Sequence, residues 1–296
     1  MEVTVLIGAH VSTAGGLLNA VQRGTEKGCE AIQIFNQSPR AWKPTAYTEE
    51  DFAAFKEAMA DSKIQSVVIH MIYLINPAGA DRTLRRKSLA SLTHAMRVGD
   101  AIDAAGVVIH PGALKGGERE PAKKRSAQMI ADALSDSERC PALLENTAGN
   151  DALLGRDFAE LGDLIDLAGG GNRLGLCIDT CHLHASGYDV KSKAGVEALV
   201  DEMATNVGVD RLSYLHVNDS RDACGSNRDR HANIGEGEIG KGGFRAFLSE
   251  PRLQGTPAVL ETPGRDGQGS DRAEVSRARR LWREGLRSRK QGASQK

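Results

Sequence analysis

The chain has 296 residues, 40% of them apolar, and its 38 basic and 39 acidic residues give a formal net charge of −1. This length suits one α/β barrel or two smaller domains, and the near-neutral charge neither indicates nor excludes a nucleic-acid partner. No apolar run is long enough to span a bilayer, so we expect no membrane partner. The first ten residues lack the pattern of a signal peptide, and the five cysteines show no disulfide spacing. We therefore expect a cytoplasmic protein.

Eight short runs rich in Val, Ile and Leu recur along the chain and predict strands. They show little alternation of polar and apolar residues, which is typical of parallel strands buried on both faces. The predicted strands span residues 3–10, 31–36, 66–70, 106–110, 142–145, 174–179, 212–216 and 257–261.

Stretches with helical periodicity separate these strands. The predicted helices span residues 17–27, 49–61, 83–105, 123–135, 156–167, 196–207 and 243–249. Regular alternation of strand and helix predicts an α/β protein with the (β/α)₈ TIM-barrel fold, whose active site lies at the C-terminal ends of the strands. The run Thr13–Gly16 predicts a tight turn before the first helix, but two glycines alone do not indicate a phosphate loop.

The domain organisation follows from the extent of this alternation. Residues 1–270 form a single barrel domain, and residues 271–296 form a basic C-terminal tail. Between positions 277 and 296 the tail carries six Arg and two Lys against one Glu. We expect a solvated, partly disordered end, with an auxiliary contact to a phosphate backbone as the alternative.

The residues that end the predicted strands have the chemistry of a metal site. A single histidine at a strand end is usually a structural residue. Here, however, every terminal residue from the third strand to the eighth is a potential metal ligand. Parallel barrel strands direct their C-terminal ends to one mouth, so these side chains should converge. In strand order, the terminal residues are His10, Asn36, His70, His110, Glu145, Asp179, His216 and Glu261.

Three further residues extend this set. His182 follows Asp179 by three positions and can turn back toward the same mouth, while Asp229 and His231 are two apart and share one side of extended chain. Cys177 and Cys181 flank Asp179, but we interpret both as small core residues.

The complete set contains too many ligands for one tetrahedral ion and enough for three. Three divalent ions carry a charge of +6 against −4 for the four carboxylates, so the site favours an anionic substrate such as a phosphate ester. The residues themselves therefore predict a metal-dependent phosphoester hydrolase. The nine predicted ligands are His70, His110, Glu145, Asp179, His182, His216, Asp229, His231 and Glu261.

Longer motifs around these residues resemble the endonuclease IV family of abasic-site endonucleases. The resemblance runs in the same order over residues 1 to about 265. The motifs are GAHVSTAGG at 8–16, HMIYLIN at 70–76, VVIHPG at 107–112, LLENTAG at 143–149, GLCIDTCH at 175–182, HVNDSRDACGSNRDRH at 216–231, HANIGEGEIG at 231–240 and VLETP at 259–263.

The resemblance implies a trinuclear zinc centre on the barrel. On that pattern one ion is held by His70, His110 and Glu145, a second by Glu145, Asp179, His216 and Glu261, and a third by His182, Asp229 and His231. Glu145 would bridge two ions, and Glu145 and Glu261 are the expected catalytic carboxylates. The types of ligand also suit Mn²⁺ at one or more positions.

The implied substrate is double-stranded DNA with abasic sites or blocked 3′ ends, and the implied reaction is cleavage 5′ to the abasic site, leaving a 3′-hydroxyl. Arg40, Tyr73 and Leu74 occupy loop positions that contact DNA in the family. A Tyr-Leu pair on an exposed loop can replace lost stacking when a nucleotide is flipped out. Two departures, Pro77 and the bulky pair at 71–72, put the shape of that loop in question. We expect a monomer.

Two other functions are compatible with parts of the pattern. A sugar isomerase or epimerase of the xylose-isomerase-like barrels would use a set such as Glu145, Asp179, His216 and Glu261, but the five additional ligands argue against it. A catalytically silent protein that binds DNA damage would bind abasic duplex tightly without cutting it.

Overall fold

Eight parallel strands close into a barrel in the computed structural model, which describes residues 5–293. The barrel strands are β1 (Ile7–His10), β2 (Ala31–Ile34), β3 (Ser66–His70), β4 (Val107–Ile109), β5 (Ala142–Glu145), β6 (Leu174–Asp179), β7 (Leu212–His216) and β10 (Ala258–Leu260). Around the barrel the strand order is β1-β10-β7-β6-β5-β4-β3-β2. The predicted TIM-barrel fold is therefore confirmed.

Nine helices accompany the strands within residues 5–293. They are α1 (Leu17–Lys27), α2 (Glu49–Ala60), α3 (Arg82–Ala101), α4 (Arg119–Ser135), α5 (Phe158–Leu167), α6 (Thr180–Ser186), α7 (Lys193–Asn206), α8 (Gly240–Leu248) and α9 (Arg272–Ala293). Several begin where a polar side chain accepts a hydrogen bond from a free main-chain N–H of the first turn. Those N-cap residues are Thr48, Asp81, Asp157, Asp179 and Ser192.

The strand boundaries differ from the prediction at a few positions. Residues 3 and 4 lie outside the described residues. β2 ends at Ile34, not at Asn36, because the chain leaves the sheet there, and Asn36 is buried outside the strand. The sequence reasoning also missed α6 and a two-stranded antiparallel sheet formed by β8 (Asp219–Ser220) and β9 (His231–Ala232).

A layer of apolar side chains fills the barrel interior, and the larger core lies between the sheet and the helices. β1 contributes Gly8 to the interior, where a Cβ atom would lie 1.5 Å from the carbonyl oxygen of Ala31. Only glycine fits there, which lets β1 and β2 approach each other. The interior layer consists of Ala31, Val68, Val108, Leu143, Cys177, Tyr214 and Val259.

Residues 272–293 form a helix that packs on the barrel, where the sequence reasoning expected a partly disordered tail. Val275 and Leu281 of α9 are fully buried, and Trp282 is 7% exposed while its Nε1 donates to Gln254 Oε1 at 3.0 Å. The basic composition hid this apolar stripe, since arginines occupy the outer face of the same helix. Among residues 5–293, no helix combines the length and the apolar character needed to span a membrane.

Candidate metal centre

The predicted strand-end ligands converge because side chains alternate along each strand. Val68, Val108, Leu143, Cys177, Tyr214 and Val259 point into the barrel. In extended chain the residue two positions later points the same way, one layer nearer the mouth. Those next-layer residues are His70, His110, Glu145, Asp179, His216 and Glu261.

Glu145 lies at the centre of the cluster. Its Oε2 is 3.2 Å from His70 Nε2 and 3.4 Å from His110 Nε2, while its Oε1 is 2.8 Å from His216 Nδ1 and 3.4 Å from His182 Nδ1. Burial disfavours the charged carboxylate, but attraction to His216 and His110 outweighs it and holds the pKa of Glu145 well below its usual value. Both oxygens of this carboxylate therefore face candidate ligand nitrogens, the arrangement expected of a bridging group.

The residues of the loop after β7 complete a second side of the cluster. Asp229 Oδ2 is 3.2 Å from His182 Nε2, and Asp229 Oδ1 is 3.1 Å from His231 Nε2. His231 Nε2 also lies 3.7 Å from Asp179 Oδ2. Thus all nine predicted ligands come together, including the three that lie off the barrel strands.

Within residues 5–293 these side chains form three groups whose ligand atoms lie within 4.8 Å of one another: His70, His110 and Glu145; Glu145, Asp179, His216 and Glu261; and His182, Asp229 and His231. The groups could bind metal ions, and they share Glu145 between the first two. A fourth group consists of Asp179, Cys181 and His231. It shares His231 with the third group and has Asp179 and Cys181 in place of His182 and Asp229. Burial raises the pKa of the Cys181 thiol to about 12, which disfavours the thiolate form that binds metals.

In three of the histidines, a main-chain carbonyl oxygen contacts the ring nitrogen Nδ1 and so orients the ring. His70 Nδ1 is 2.7 Å from the carbonyl oxygen of Met71, His182 Nδ1 is 2.9 Å from that of Asn146, and His231 Nδ1 is 3.3 Å from that of Glu261. A carbonyl can only accept, so in each ring Nδ1 carries a proton, and Nε2 is the nitrogen that can bind a metal ion. Such outer contacts are typical of metal-binding histidines.

His231 supplies a direct test of whether these residues fit metal ions. Its Nε2 is buried and makes no hydrogen bond of acceptable geometry, although two carboxylates lie close to it. An unpartnered buried nitrogen is costly unless another group binds it. The unpartnered nitrogen, together with the mixed nitrogen and oxygen donors, fits a borderline-soft divalent cation.

Gln33 is a functional residue that the sequence reasoning missed. It is fully buried, donates from Nε2 to Glu261 Oε1 at 2.5 Å and accepts at Oε1 from His216 Nε2 at 2.6 Å. It also lies 3.1 Å from His10 Nδ1. The sequence nevertheless contains the pattern that identifies the ligands. Gln33 lies two positions after the interior residue Ala31, just as each strand-end ligand lies two positions after an interior residue. Asn36, which we had placed at the mouth, lies outside the strand.

Two asparagines position the carboxylates. Asn218 Nδ2 donates to Asp179 Oδ2 at 2.6 Å and to Glu261 Oε2 at 3.3 Å, and its Oδ1 accepts from the Glu261 main-chain N–H at 2.7 Å. Asn146 Oδ1 accepts from the main-chain N–H of Asp179 at 2.7 Å. These contacts tie β5, β6, β7 and β10 together at the mouth, so the carboxylate positions are fixed by the scaffold.

Asp219 holds the segment that follows His231. Its carboxylate is completely buried and accepts from the main-chain N–H groups of Gly235, Gly237 and Ile239 at 2.9 to 3.0 Å. A carboxylate surrounded by amide donors is a strong anchor for a loop. The pairing of β8 with β9 adds to this anchor and carries His231 back toward the cluster.

The cluster opens into a cleft with a volume of about 1010 Å³. Tyr73 lines this cleft, is 69% exposed and contacts Phe35 with ring centroids 5.3 Å apart. Its main-chain N–H donates to the carbonyl oxygen of Pro39 at 3.2 Å, which places exposed Arg40 on the adjoining loop. Leu74 is half-buried beside it. The residues at 71, 72 and 77, which depart from the family pattern, are all buried.

A family model described as a xylose isomerase-like TIM barrel matches residues 21–291 of the chain. A protein of Halothermothrix orenii named probable endonuclease 4 is 37% identical over 275 residues, covering 93% of this chain and 99% of the relative. Another of that name from Streptomyces coelicolor is 37% identical and covers 93% and 94%. The chain belongs to the endonuclease IV family. The match reaches residue 291, so α9 is part of the domain that the family shares.

Solved structures agree with this family assignment. Endonuclease IV from Thermus thermophilus superposes with a TM-score of 0.82 at 36% identity, covering 94% of this chain and 99% of that one. A D-tagatose 3-epimerase-like protein superposes with a TM-score of 0.71 at 17% identity, covering 98% and 100%. The second likeness shows that the barrel is shared and carries no information about the reaction.

Proposed function

We propose that this protein is a metal-dependent DNA repair endonuclease that hydrolyses the phosphodiester 5′ to an abasic site and leaves a 3′-hydroxyl. The observation that carries the proposal is the convergence of nine donor side chains, with Glu145 at their centre and an unpartnered Nε2 nitrogen on His231. The endonuclease names of the relatives support the substrate class. Trimming of blocked 3′ ends requires the same hydrolysis and belongs to the same proposal.

The three groups of side chains would hold three Zn²⁺ ions, with Mn²⁺ able to replace zinc where carboxylates predominate. When bound, the ions would lower the pKa of water and neutralise charge on the phosphate. The protein itself fixes the geometry. Glu145 would join two of the positions through its two oxygens, and the other groups would each face one position.

Glu261 is the carboxylate best placed to act on the substrate. Its side chain is 21% exposed, whereas the side chains of Glu145 and Asp179 are 1% and 0% exposed, so Glu261 is more accessible than either. Asp229 is 53% exposed, but its two oxygens face His182 and His231. Gln33 and Asn218 hold its two oxygens from behind. A carboxylate oriented in this way can position a water molecule without reorganisation during the reaction.

DNA would approach across the loops that carry Arg40, Tyr73 and Leu74. An exposed aromatic ring beside an open cleft suits stacking against a base pair next to the flipped nucleotide. Arg40 is exposed on the neighbouring loop, where its guanidinium can contact the backbone or enter a groove. An abasic nucleotide lacks a base to unstack, so it is the easiest nucleotide to extrude.

The two competing functions are less well supported by the same geometry. A sugar epimerase would need the group of Glu145, Asp179, His216 and Glu261, but five additional donors surround it here. Four carboxylates with three divalent ions leave the centre near +2, which favours a phosphate ester over a neutral sugar. A protein that binds damaged DNA without cutting it does not require a carboxylate such as Glu261, positioned at the mouth of the cleft by Gln33 and Asn218.

The test is a nicking assay on a duplex that contains one tetrahydrofuran abasic analogue. We expect cutting on the 5′ side, loss of cutting after chelation, and recovery when Zn²⁺ or Mn²⁺ is returned. A DNA polymerase should extend the product directly, which shows a 3′-hydroxyl. An intact duplex of the same sequence is the control. Tight binding without cutting in the presence of metal would support the silent binder, and sugar turnover with one ion per chain would support the epimerase.

A further inference from the structure

Two cations line the same cleft as the metal centre but belong to none of its groups. Arg23 and Lys27 lie one turn apart on α1, and both are half-buried in the wall of the cleft. Within residues 5–293, neither has a carboxylate oxygen within 4.0 Å, whereas the three half-buried arginines of α9 are all paired. Two such cations on one wall give the cleft a local excess of positive charge, which attracts an anion.

Main-chain contacts hold the two side chains in place. Arg23 Nη1 donates to the carbonyl oxygen of Ser12 at 2.7 Å, and Lys27 Nζ donates to that of Ser270 at 2.6 Å. Each cation uses one donor in this way, which leaves four N–H groups on the guanidinium and two on the ammonium. Because the carbonyls fix the side chains without neutralising them, the positive charge remains available to the cleft.

The start of α1 adds further donors to the same wall. Gly15 and Gly16 line the cleft, and no side chain caps the helix at Gly16. The free N–H groups of a first turn attract anions.

Direct contacts connect the wall that carries Arg23 and Lys27 to the other loops around the mouth of the barrel. Thr13 Oγ1 donates to the carbonyl oxygen of Phe35 at 3.0 Å, which fixes the β1–α1 loop against the β2–α2 loop that carries Gln37. Thr262 and Ser270 belong to the loop after β10, and their hydroxyls are 2.9 Å apart. The wall with Arg23 and Lys27 is therefore connected to the loops around Glu261, although neither cation belongs to a metal group.

We propose that Arg23, Lys27 and the first turn of α1 form a second phosphate site, which takes a backbone phosphate of the substrate strand away from the bond that is cut. This inference rests on the proposed nuclease function. The site would hold the strand along the cleft while the scissile phosphate occupies the metal centre. It would contribute to affinity and to the salt dependence of binding, and it would leave the chemical step unchanged.

The experiment compares Lys27→Ala and Arg23→Gln with wild type on the tetrahydrofuran duplex. Binding is followed by fluorescence anisotropy and cutting by gel. We expect Kd and KM to rise about three- to tenfold at unchanged kcat, since a charge-assisted phosphate contact is lost. The slope of log Kd against log salt should fall by about one for each variant.

Two controls separate charge from loop position. Lys63→Ala removes one exposed cation before β3, at the opposite end of the barrel, and should leave the salt slope unchanged. Lys27→Gln keeps a donor for the carbonyl oxygen of Ser270 but removes the charge, so it should lose salt slope as Lys27→Ala does. If Lys27→Gln behaves as wild type while Lys27→Ala is defective, the lysine acts by holding the loop, and the phosphate site is wrong.

A scan of neutral methylphosphonate linkages around the abasic analogue identifies the phosphate itself. One substitution away from the cut should weaken binding by wild type and have no further effect on Lys27→Ala. If every linkage affects both proteins equally, the second site is refuted even though cutting persists. Loss of cutting with the binding pattern intact would instead refute the proposed reaction and leave the site supported. Absence of any binding to the duplex would overturn both.

Discussion

Replacement of Gln33 by leucine tests whether the metal centre depends on a residue that binds no metal itself. Leucine has a similar volume, so the change removes polar contacts without leaving a large cavity. The lost contacts are those to Glu261 Oε1 at 2.5 Å, to His216 Nε2 at 2.6 Å and to His10 Nδ1 at 3.1 Å. Glu261 keeps Asn218 as a partner, whereas His216 Nε2 loses the oxygen that accepts its hydrogen bond.

The size of the effect follows from these losses. A buried polar group left without its partner costs about 1 to 3 kcal/mol, and His216 would bear most of that cost. In metal proteins, removal of such an outer contact weakens metal affinity or activity by about 10- to 100-fold. We therefore expect Gln33→Leu to fold, to bind zinc about 10- to 100-fold more weakly, and to recover most of its activity at high zinc concentration.

The assay titrates metal-depleted protein with buffered Zn²⁺ and follows both binding and nicking. Gln65→Leu is the matched control, because Gln65 is exposed just before β3, at the end of the strand away from the mouth. Thermal denaturation of both variants checks the fold. If Gln33→Leu and wild type are half-saturated at the same zinc concentration, the histidine rings and carboxylates keep their positions without Gln33. That result would contradict the role we assign to this glutamine.

Four further predictions address other parts of the molecule. Glu261→Gln should lower nicking by more than about 100-fold while duplex binding persists, because the contacts to DNA come from the loops; lost binding in a folded variant would contradict its role. Tyr73→Ala should weaken binding of abasic duplex by about 1 to 3 kcal/mol in anisotropy titrations, with no change in melting temperature, since the ring is 69% exposed. Burial opposes the charged form of His231, but Asp229 outweighs it and raises the pKa of His231 to about 9 in the metal-free protein. Metal binding must displace that proton, so calorimetry should show zinc affinity rising with pH up to about 9, and a pH-independent affinity would refute this. Trp282→Ala should destabilise the protein by about 3 to 5 kcal/mol in urea denaturation, and a loss below about 1 kcal/mol would mean that α9 is not part of the fold's core.

The metal-site residues could be predicted from sequence because one rule places six of them. Strands of a barrel alternate inward and outward, so a polar residue two positions after an interior residue must face the mouth. His70 and Glu145 are found by this rule without any knowledge of contacts. Local spacing suggested His182, Asp229 and His231, and the family resemblance grouped them around one ion, because their positions depend on loops that periodicity does not describe.

The features that were missed depend on contacts between distant parts of the chain. Gln33 was overlooked because strand β2 was extended to Asn36, and its importance lies in bonds to residues 183 and 228 positions away. Asp219 resembles any polar loop residue until its amide donors are known. Helix α9 was predicted to be a solvated tail because arginines dominate its composition, while the buried stripe of Val275, Leu281 and Trp282 is only a few residues wide.

Closure of the barrel joins its first strand to its last. β1 pairs in parallel with β10, with Ile7 opposite Ala258 and Ala9 opposite Leu260. During synthesis on the ribosome this seam cannot form until β10 has emerged, and Glu261 arrives with it. Until then the nascent protein has an open sheet edge and an incomplete set of candidate metal donors, so the candidate metal centre is complete only after the last strand has been made.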